Sequence, residues 1–383
     1  MTRTQKSILT LLAITASTLL ALVGWFGYQT YQTHWRSPLG PAIAMPTSTW
    51  SLPATWTPAS RELTSGLAAT MTLAPTSTPV EAVACGGPPV MTLLAIGTDA
   101  RANSYKYGLA DVIRIVRVDY IAGKVTILEF PLDLWVEIPE IADNLNGQDH
   151  EKLNQAYLYG NPGFGYYDGP GQGPGLLART LALNFGVQAD RYVAVNMRTF
   201  EKIVDAVGGI RVDLPNGVDG RTSEDRSKRL IFPPGIQILD GEQALTLARI
   251  RNEGVFERAN HQNTVMCALQ KKLTSPSVVV RIPAIINSFQ GAVQTDLTPE
   301  QLTQLACIGT KLSGEDITFV SFPEELFQQT RIFDPVFDGR IFVWDVDYDI
   351  LRDYVTRFNA GIWPAPVTSS ESQPEESSVS TCP

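Results

Sequence analysis

Residues 190–215 read DRYVAVNMRTFEKIVDAVGGIRVDLP, and the hydrophobic period changes twice within them. The run RYVAVN (191–196) is short and β-branched, which is a strand signal. Phe200, Ile203, Val204 and Val207 then recur at helical steps and share one face. Gly208 and Gly209 stop that helix, because glycine accepts the left-handed backbone in which helices commonly end. GIRVDLP (209–215) follows as another β-branched run, bounded by Gly and Pro. Strand, helix and strand in so short a stretch indicate a layered α/β domain.

Working outward, the same signals recur. VMTLLAIG (90–97), VIRIVRVD (112–119) and KVTILEFP (124–131) read as strands. PGLLARTLALNFG (174–186) reads as a helix stopped at Gly186. TPEQLTQLACIGTKL (298–312) reads as a helix with Thr298 as N-cap, Pro299 at the first helical position and Gln301 three residues after the cap. These elements predict an α/β fold with a central mixed sheet and helices on both faces. Residues 88–275 form its core, and 276–364 are a C-terminal part packed on that core. No internal repeat is apparent.

The ends of the chain are different. From Ser7 to Thr33 no side chain carries a charge, and 8–28 are apolar over the ~20 residues that a membrane span needs. Arg3 and Lys6 precede this run, while Trp25 and Tyr28 lie near its far end. The pattern predicts an uncleaved single-pass plasma-membrane anchor at 8–28, with 1–7 cytoplasmic and the rest of the chain extracytoplasmic. Residues 29–87 are an extracytoplasmic tether, rich in Pro, Thr and Ser, and 365–383 read as a disordered tail. Four cysteines outside the cytoplasm suggest disulfides. Cys267 and Cys307 fall in helical patterns inside the core while Cys85 and Cys382 flank it, so the expected pairs are Cys267–Cys307 and Cys85–Cys382.

Composition excludes several functions. The net charge of -9 argues against a general nucleic-acid binder, which carries a basic face and a high pI. Only three histidines, His34, His150 and His261, are present and they are far apart in sequence, leaving little from which to build a Ser-His-Asp triad or a multi-His metal site. Against this background ALTLARIRNEGVFERANHQ (244–262) concentrates Arg249, Arg251 and Arg258, with Glu253 and Glu257 as its acidic residues. A local anion site is implied. Arg249 and Arg251, two apart in an extended segment, would point to one side while Ile250 points into the core.

Polar residues at the strand ends extend that site. GTDAR supplies Asp99 and Arg101 beyond the first strand, Asp111 precedes the second, Asp133 follows the third, and EKLNQAY supplies Lys152 and Asn154. Carboxylates at the mouth of a sheet suit a hard cation such as Mg²⁺ or Mn²⁺, and Arg and Lys suit phosphate oxygens. The combination indicates a phosphate ester or diphosphate held with a metal.

LLAIGTDAR, the Asp111 strand, KVTILEFPLDLWVEIP, EKLNQAYLYG, DRYVAVNMRTFEKIVDAVGGIRVDLP, LDGEQALTLARIR and ERANHQ follow one another as in the LytR-CpsA-Psr family, which this chain resembles from about 90 to 275. The resemblance implies a metal-dependent phosphotransferase. Such an enzyme takes a glycan from a polyprenyl-diphosphate carrier in membrane lipid and joins it to a hydroxyl of peptidoglycan or another wall polymer through a phosphodiester. It further implies that Asp99 and Asp111 hold the metal and that Arg249 and Arg251 clamp the diphosphate. Arg101, Lys152 and Gln262 then line the same site, with Asp133, Asn154 and Arg258 beside them, and apolar helix and sheet residues enclose the prenyl tail.

Two departures stand out. Where the family has Pro-Arg-Asp after the third strand, this chain has Pro131, Leu132 and Asp133, and the family's Arg-Gln pair is His261 and Gln262 here. Arg114 or Arg117 on the neighbouring strand would be the residue to compensate. A homologue that binds the carrier without transfer, and a hydrolase that gives the diphosphate to water, are the alternatives.

Overall fold

In the computed structural model of the chain, Val90–Thr98 (β1) and Ala110–Asp119 (β2) form an antiparallel pair with Gly97 opposite Val112. The structure describes residues 17–29, 36–40, 83–101, 105–251, 255–279, 285, 292–364 and 379–382. Lys124–Glu129 (β3) pairs antiparallel with β2, and Arg191–Asn196 (β6) runs parallel to β1. Gln294–Thr295 (β11), Ile317–Ser321 (β12) and Val379–Thr381 (β15) complete a mixed seven-stranded sheet in the order β11-β6-β1-β2-β3-β12-β15. The chain beyond residue 275 is therefore more than a part packed on the core, since it contributes three strands of the central sheet.

Both faces of this sheet are covered, as its nearly continuous apolar strands require. On one face Leu94, Ile113, Ile115, Leu128 and Tyr192 pack against the helices Leu153–Tyr159 (α2), Gln172–Phe185 (α3) and Tyr348–Asn359 (α9). On the other face Met91, Leu93 and Val118 meet Cys267 of Val255–Leu273 (α6) and Ile308 of Pro299–Lys311 (α8). The caps read from sequence are formed: Thr298 and Gln301 make a reciprocal capping box at the start of α8. Gly186 closes α3 in the left-handed conformation, with φ 76°.

A second core lies beside the sheet. Met197–Ala206 (α4) leads through Gly208 and Gly209 to Ile210–Leu214 (β7), which pairs with Gly235–Leu239 (β10) rather than joining the large sheet. Val204, Ile210, Val212, Leu239, Leu247 and Val265 bury one another there, joining α4, Gly241–Arg249 (α5), α6 and the β7–β10 hairpin.

Three expectations about the chain ends need correction. The disulfides are Cys85–Cys307 and Cys267–Cys382, with Cα separations of 5.8 and 5.3 Å, both in the normal range. Each helical cysteine meets a chain end and not the other helix, because the Ala84–Gly86 turn lies against α8 while β15, added to β12, delivers Cys382 to α6. For the same reason the tail is ordered at 379–382; 365–378 lie outside the described residues. The tether is also anchored at both ends. Leu39 is buried in the main core, Arg36 donates to the Leu297 carbonyl at 2.9 Å, and Ala84 N donates to Tyr120 O at 2.9 Å. Residues 41–82 lie outside the described residues. Of the expected anchor, 17–29 form a helix (α1) and 8–16 lie outside the described residues. Among the described residues no helix is long and apolar enough to cross a membrane.

One buried carboxyl pair makes stability depend on pH. Glu151, on His150–Lys152 (β5), and Asp334, ending Gln328–Asp334 (β13), are both fully buried. Gln148 Nε2 donates to Glu151 Oε1 at 3.1 Å and lies 3.5 Å from Asp334 Oδ1, which also accepts from Val336 N at 2.8 Å. Burial, reinforced by the Asp334 charge, pushes the Glu151 carboxyl from 4.5 up to about 7. The folded state therefore holds this proton more tightly than the unfolded chain does. Its stabilisation is complete below 4.5 and is lost as pH rises through about 7. Tm should fall across that window in the wild type, and Glu151→Gln should flatten the fall. Equal slopes in the two proteins would place the titration elsewhere.

Candidate functional site

The edge where β1 and β6 end and β2 begins opens onto a cavity of about 320 Å³ between the sheet and α4, α5 and α6. Its floor is made of Ala95 and Gly97 on β1, Val112 on β2, and Val193 and Val195 on β6. These five are only half-buried, whereas Leu94 and Ile96 on the opposite face are almost fully buried. Alternation along the strands explains the difference, since one face is packed and the other borders the cavity. Gly97 is needed for close approach: a Cβ there would lie 2.9 Å from Val112 Cβ. Met197, Phe200 and Ile203 on α4, and Val265, Met266 and Leu269 on α6, supply apolar walls.

The lining is polarised along α6. Arg258, Gln262, Val265, Met266 and Leu269 occupy one face of the helix, from a charged end to an apolar end separated by ~16 Å at 1.5 Å per residue. Around the charged end stand Asp111, Arg114, Arg249 and Arg251, with Thr98 and Asn196 at the ends of their strands.

Local structure explains the placement of the arginines. Asp240 caps α5 in a box with Gln243, and the helix ends at Arg249. Ile250 then turns extended, with φ −64° and ψ 133°, and buries its side chain against Gly220. The two arginines thus reach one cavity as expected, but Arg249 ends a helix instead of lying in an extended segment.

The charges are tightly coupled. Arg251 Nη2 lies 3.9 Å from Asp111 Oδ1, and Arg258 Nη2 donates to the Asp111 carbonyl at 3.2 Å. Burial raises the Asp111 pKa; Arg251 opposes that shift and the Asp99 charge adds to it. Arg258 is 3% exposed, and burial followed by repulsion from Arg251 lowers its pKa. An added anion would relieve that repulsion. Arg114 pairs with Glu129 at 2.8 Å and donates to Gln262 Oε1 at 3.2 Å, while Gln262 Nε2 donates to the Ala248 carbonyl at 3.3 Å. This chain of bonds ties β2 and α6 to the turn of α5 that carries Arg249. Arg117 lies on the other face of β2, paired with Asp119 at 3.1 Å, so of the two arginines only Arg114 reaches the cavity.

The remaining expected site residues stand outside the cavity lining. Asp99 Oδ1 accepts from Leu109 N at 2.6 Å, and its charge still acts on Asp111. Arg101 is exposed at the border of 102–104, which lie outside the described residues. Asp133 and Lys152 pair at 2.7 Å, and the Asp133 charge reaches Arg258. Asn154 is buried, its backbone N–H donating to the Leu132 carbonyl at 3.1 Å. Leu132 itself is 5% exposed. Among the described residues no group of three or more His, Cys, Asp and Glu is placed to hold a metal ion. The apolar lining was not readable as such from sequence; Ala95 and Gly97, small residues in an otherwise bulky strand, are its only trace.

The regulatory protein MsrR of Staphylococcus aureus is 28% identical over 218 residues, which are 56% of this chain and 58% of that protein. A polyisoprenyl-teichoic acid–peptidoglycan teichoic acid transferase, TagU of Oceanobacillus iheyensis, is 30% identical over 218 residues, 56% of this chain and 61% of the relative. The match thus spans about three fifths of these relatives. The crystal structure of Bacillus subtilis TagV has the same fold, with a TM-score of 0.54 at 22% identity over 70% of this chain and 96% of that one. The LytR_cpsA_psr family model matches residues 76–352, well over half the sequence, and the chain therefore belongs to that family.

Proposed function

We propose that the protein transfers a glycan from a polyprenyl-diphosphate carrier to a hydroxyl of peptidoglycan or another wall polymer. The observation that carries this reading is the polarised cavity, in which apolar walls run into a charged end containing Arg249, Arg251 and Arg258. Few ligands match that pattern as well as a long apolar chain ending in a diphosphate. The activity for which the TagU relative is named, transfer of teichoic acid from a polyisoprenyl carrier to peptidoglycan, supports it.

In the transfer, the acceptor oxygen attacks the phosphorus nearer the glycan, and the bond from that phosphorus to the bridging oxygen breaks. Polyprenyl phosphate leaves with that oxygen, the acceptor proton passes to solvent, and a phosphodiester remains. Arg249 and Arg251 neutralise the non-bridging oxygens, where positioning and charge compensation supply most of the catalysis. Arg258, buried beside them, adds a charge that water screens less. Asp99 and Asp111 are oxygen donors whose charges repel each other, a donor set that fits Mg²⁺ or Mn²⁺ when phosphate and water complete the shell. Bound there, the ion would withdraw charge from the diphosphate. The reading places 8–28 in the plasma membrane, with the N-terminus cytoplasmic and the folded domain outside; recovery of a soluble mature chain starting near residue 30 would refute that topology.

The test is the fate of a labelled polyprenyl-diphosphate glycan incubated with wall polymer. Transfer of label to the polymer is expected in the wild type, with at least a ~100-fold loss in Asp111→Asn at unchanged Tm, the scale of removing one transition-state charge contact. Release of free glycan phosphate would make the protein a hydrolase. Retention of intact carrier would make it a binder, a result to which the missing arginine at Leu132 would contribute.

A further inference from the structure

The helix α6 has a second lined face. On the side away from Arg258, Gln262 and Leu269, it presents Asn260, Asn263 and Lys271 to a separate open cleft of about 790 Å³, which Lys272 also lines from the last turn of the helix. The far wall of this cleft is the outer face of the β7–β10 hairpin, with Arg211 opposite Ile238 and Asp213 opposite Ile236. Ser380 and Thr381 of β15 close it along one side. Lys272 leans over the α4–β7 turn, where a Cβ at Gly208 would stand 3.9 Å from its Nζ.

Charge in this cleft runs against the character of the chain. The protein carries a net charge of -9, yet Arg211, Lys271 and Lys272 converge here with Asp213 as the one carboxylate of the lining. Among the described residues none of the three cations is within 4.0 Å of a carboxylate. Ile236 and Ile238 are 56% and 74% exposed, an uncommon state for two isoleucines on one strand. The amides of Asn260 and Asn263 and the hydroxyls of Ser380 and Thr381 stand near them. Cations, amides, hydroxyls and small apolar faces together match a sugar chain that carries carboxylates or phosphates: its charges meet the cations, its hydroxyls the amides, and its ring C–H faces the isoleucines. A prenyl chain does not match, because it would leave the lysines without an anion.

We infer that this cleft is a second ligand site that takes an anionic glycan strand. The cleft runs ~16 Å along α6 from Asn260 to Lys271, at 1.5 Å per residue, on the side of the helix away from the first cavity, and shares no lining residue with it. The binding does not depend on the transfer reading.

The experiment uses the full chain in detergent, a labelled oligogalacturonide as the carboxylate-bearing sugar chain, and a chitooligosaccharide as its neutral counterpart. Saturable binding of the oligogalacturonide is expected, stronger than that of the neutral sugar. Lys271→Gln/Lys272→Gln on one wall, and Arg211→Gln on the other, should each weaken it about tenfold at unchanged Tm. Exposed Lys311→Gln on α8 should leave it unchanged, as should Arg249→Ala/Arg251→Ala, which is instead expected to lose polyprenyl-phosphate binding. Absence of saturable binding, indifference to the variants of both walls, or equal weakening by Lys311→Gln would overturn the assignment. If the oligogalacturonide binds as expected while polyprenyl phosphate fails to bind the wild type, the transfer reading falls and the glycan site stands. The converse result removes the site and leaves the transfer reading in place.

Discussion

Arg249→Ala/Arg251→Ala should lose roughly 3 to 6 kcal/mol of affinity for a polyprenyl diphosphate, taking about 1.5 to 3 kcal/mol for each set of bonds to a charged group. At 1.4 kcal/mol per decade, that is at least a ~100-fold rise in Kd. The sum is approximate, because two cations on one anion couple. Both side chains are exposed, and Arg251 has only a distant contact of 3.9 Å with Asp111, so Tm should barely move. Lys at either position should recover part of the affinity, since an ammonium replaces the charge but not the planar fork. Calorimetric titration and a melting curve on the same sample decide the matter. A lower Tm with unchanged affinity would give these arginines to the fold.

Removing Cys267–Cys382 by Cys267→Ser/Cys382→Ser should lower unfolding free energy by roughly 2 to 5 kcal/mol. The bond spans 115 residues and ties an edge strand to α6. A three-residue edge strand has little else to hold it, so the loss should be accompanied by release of β15. Denaturant titration gives the magnitude, and a non-reduced peptide map gives the connectivity. A Cys267–Cys307 peptide in that map would contradict the arrangement described above.

What the sequence showed and what it hid divide along the distance over which a signal acts. The strands expected at 90–97, 124–131 and 191–196 are found at 90–98, 124–129 and 191–196, and the α8 cap at Thr298 and Gln301 is formed; period and capping, which neighbouring residues specify, made them legible. The convergence of Arg249, Arg251 and Arg258 was legible because the residues lie close together in the chain. The disulfides were not, since pairing depends on which helix a distant chain end reaches. Arg114 and Arg117 show the same limit: an odd spacing on a strand assigns them to opposite faces, but only the packing of α6 and α9 decides which face borders the cavity. The cavity itself was hidden because an apolar wall and an apolar core have the same composition.

The bond from Cys382 to Cys267 also changes what a break in the backbone can do. A protease that cuts anywhere between Pro364 and Val379 separates β15 from its sequence neighbours but not from α6, so the severed strand stays in the sheet as a disulfide-linked peptide. Reduction of the bond, and not hydrolysis of the chain, is then what frees that edge of the sheet and the wall it lends to the polar cleft. A single nick leaves both in place, which is a form of damage tolerance that a strand held by backbone pairing alone would lack.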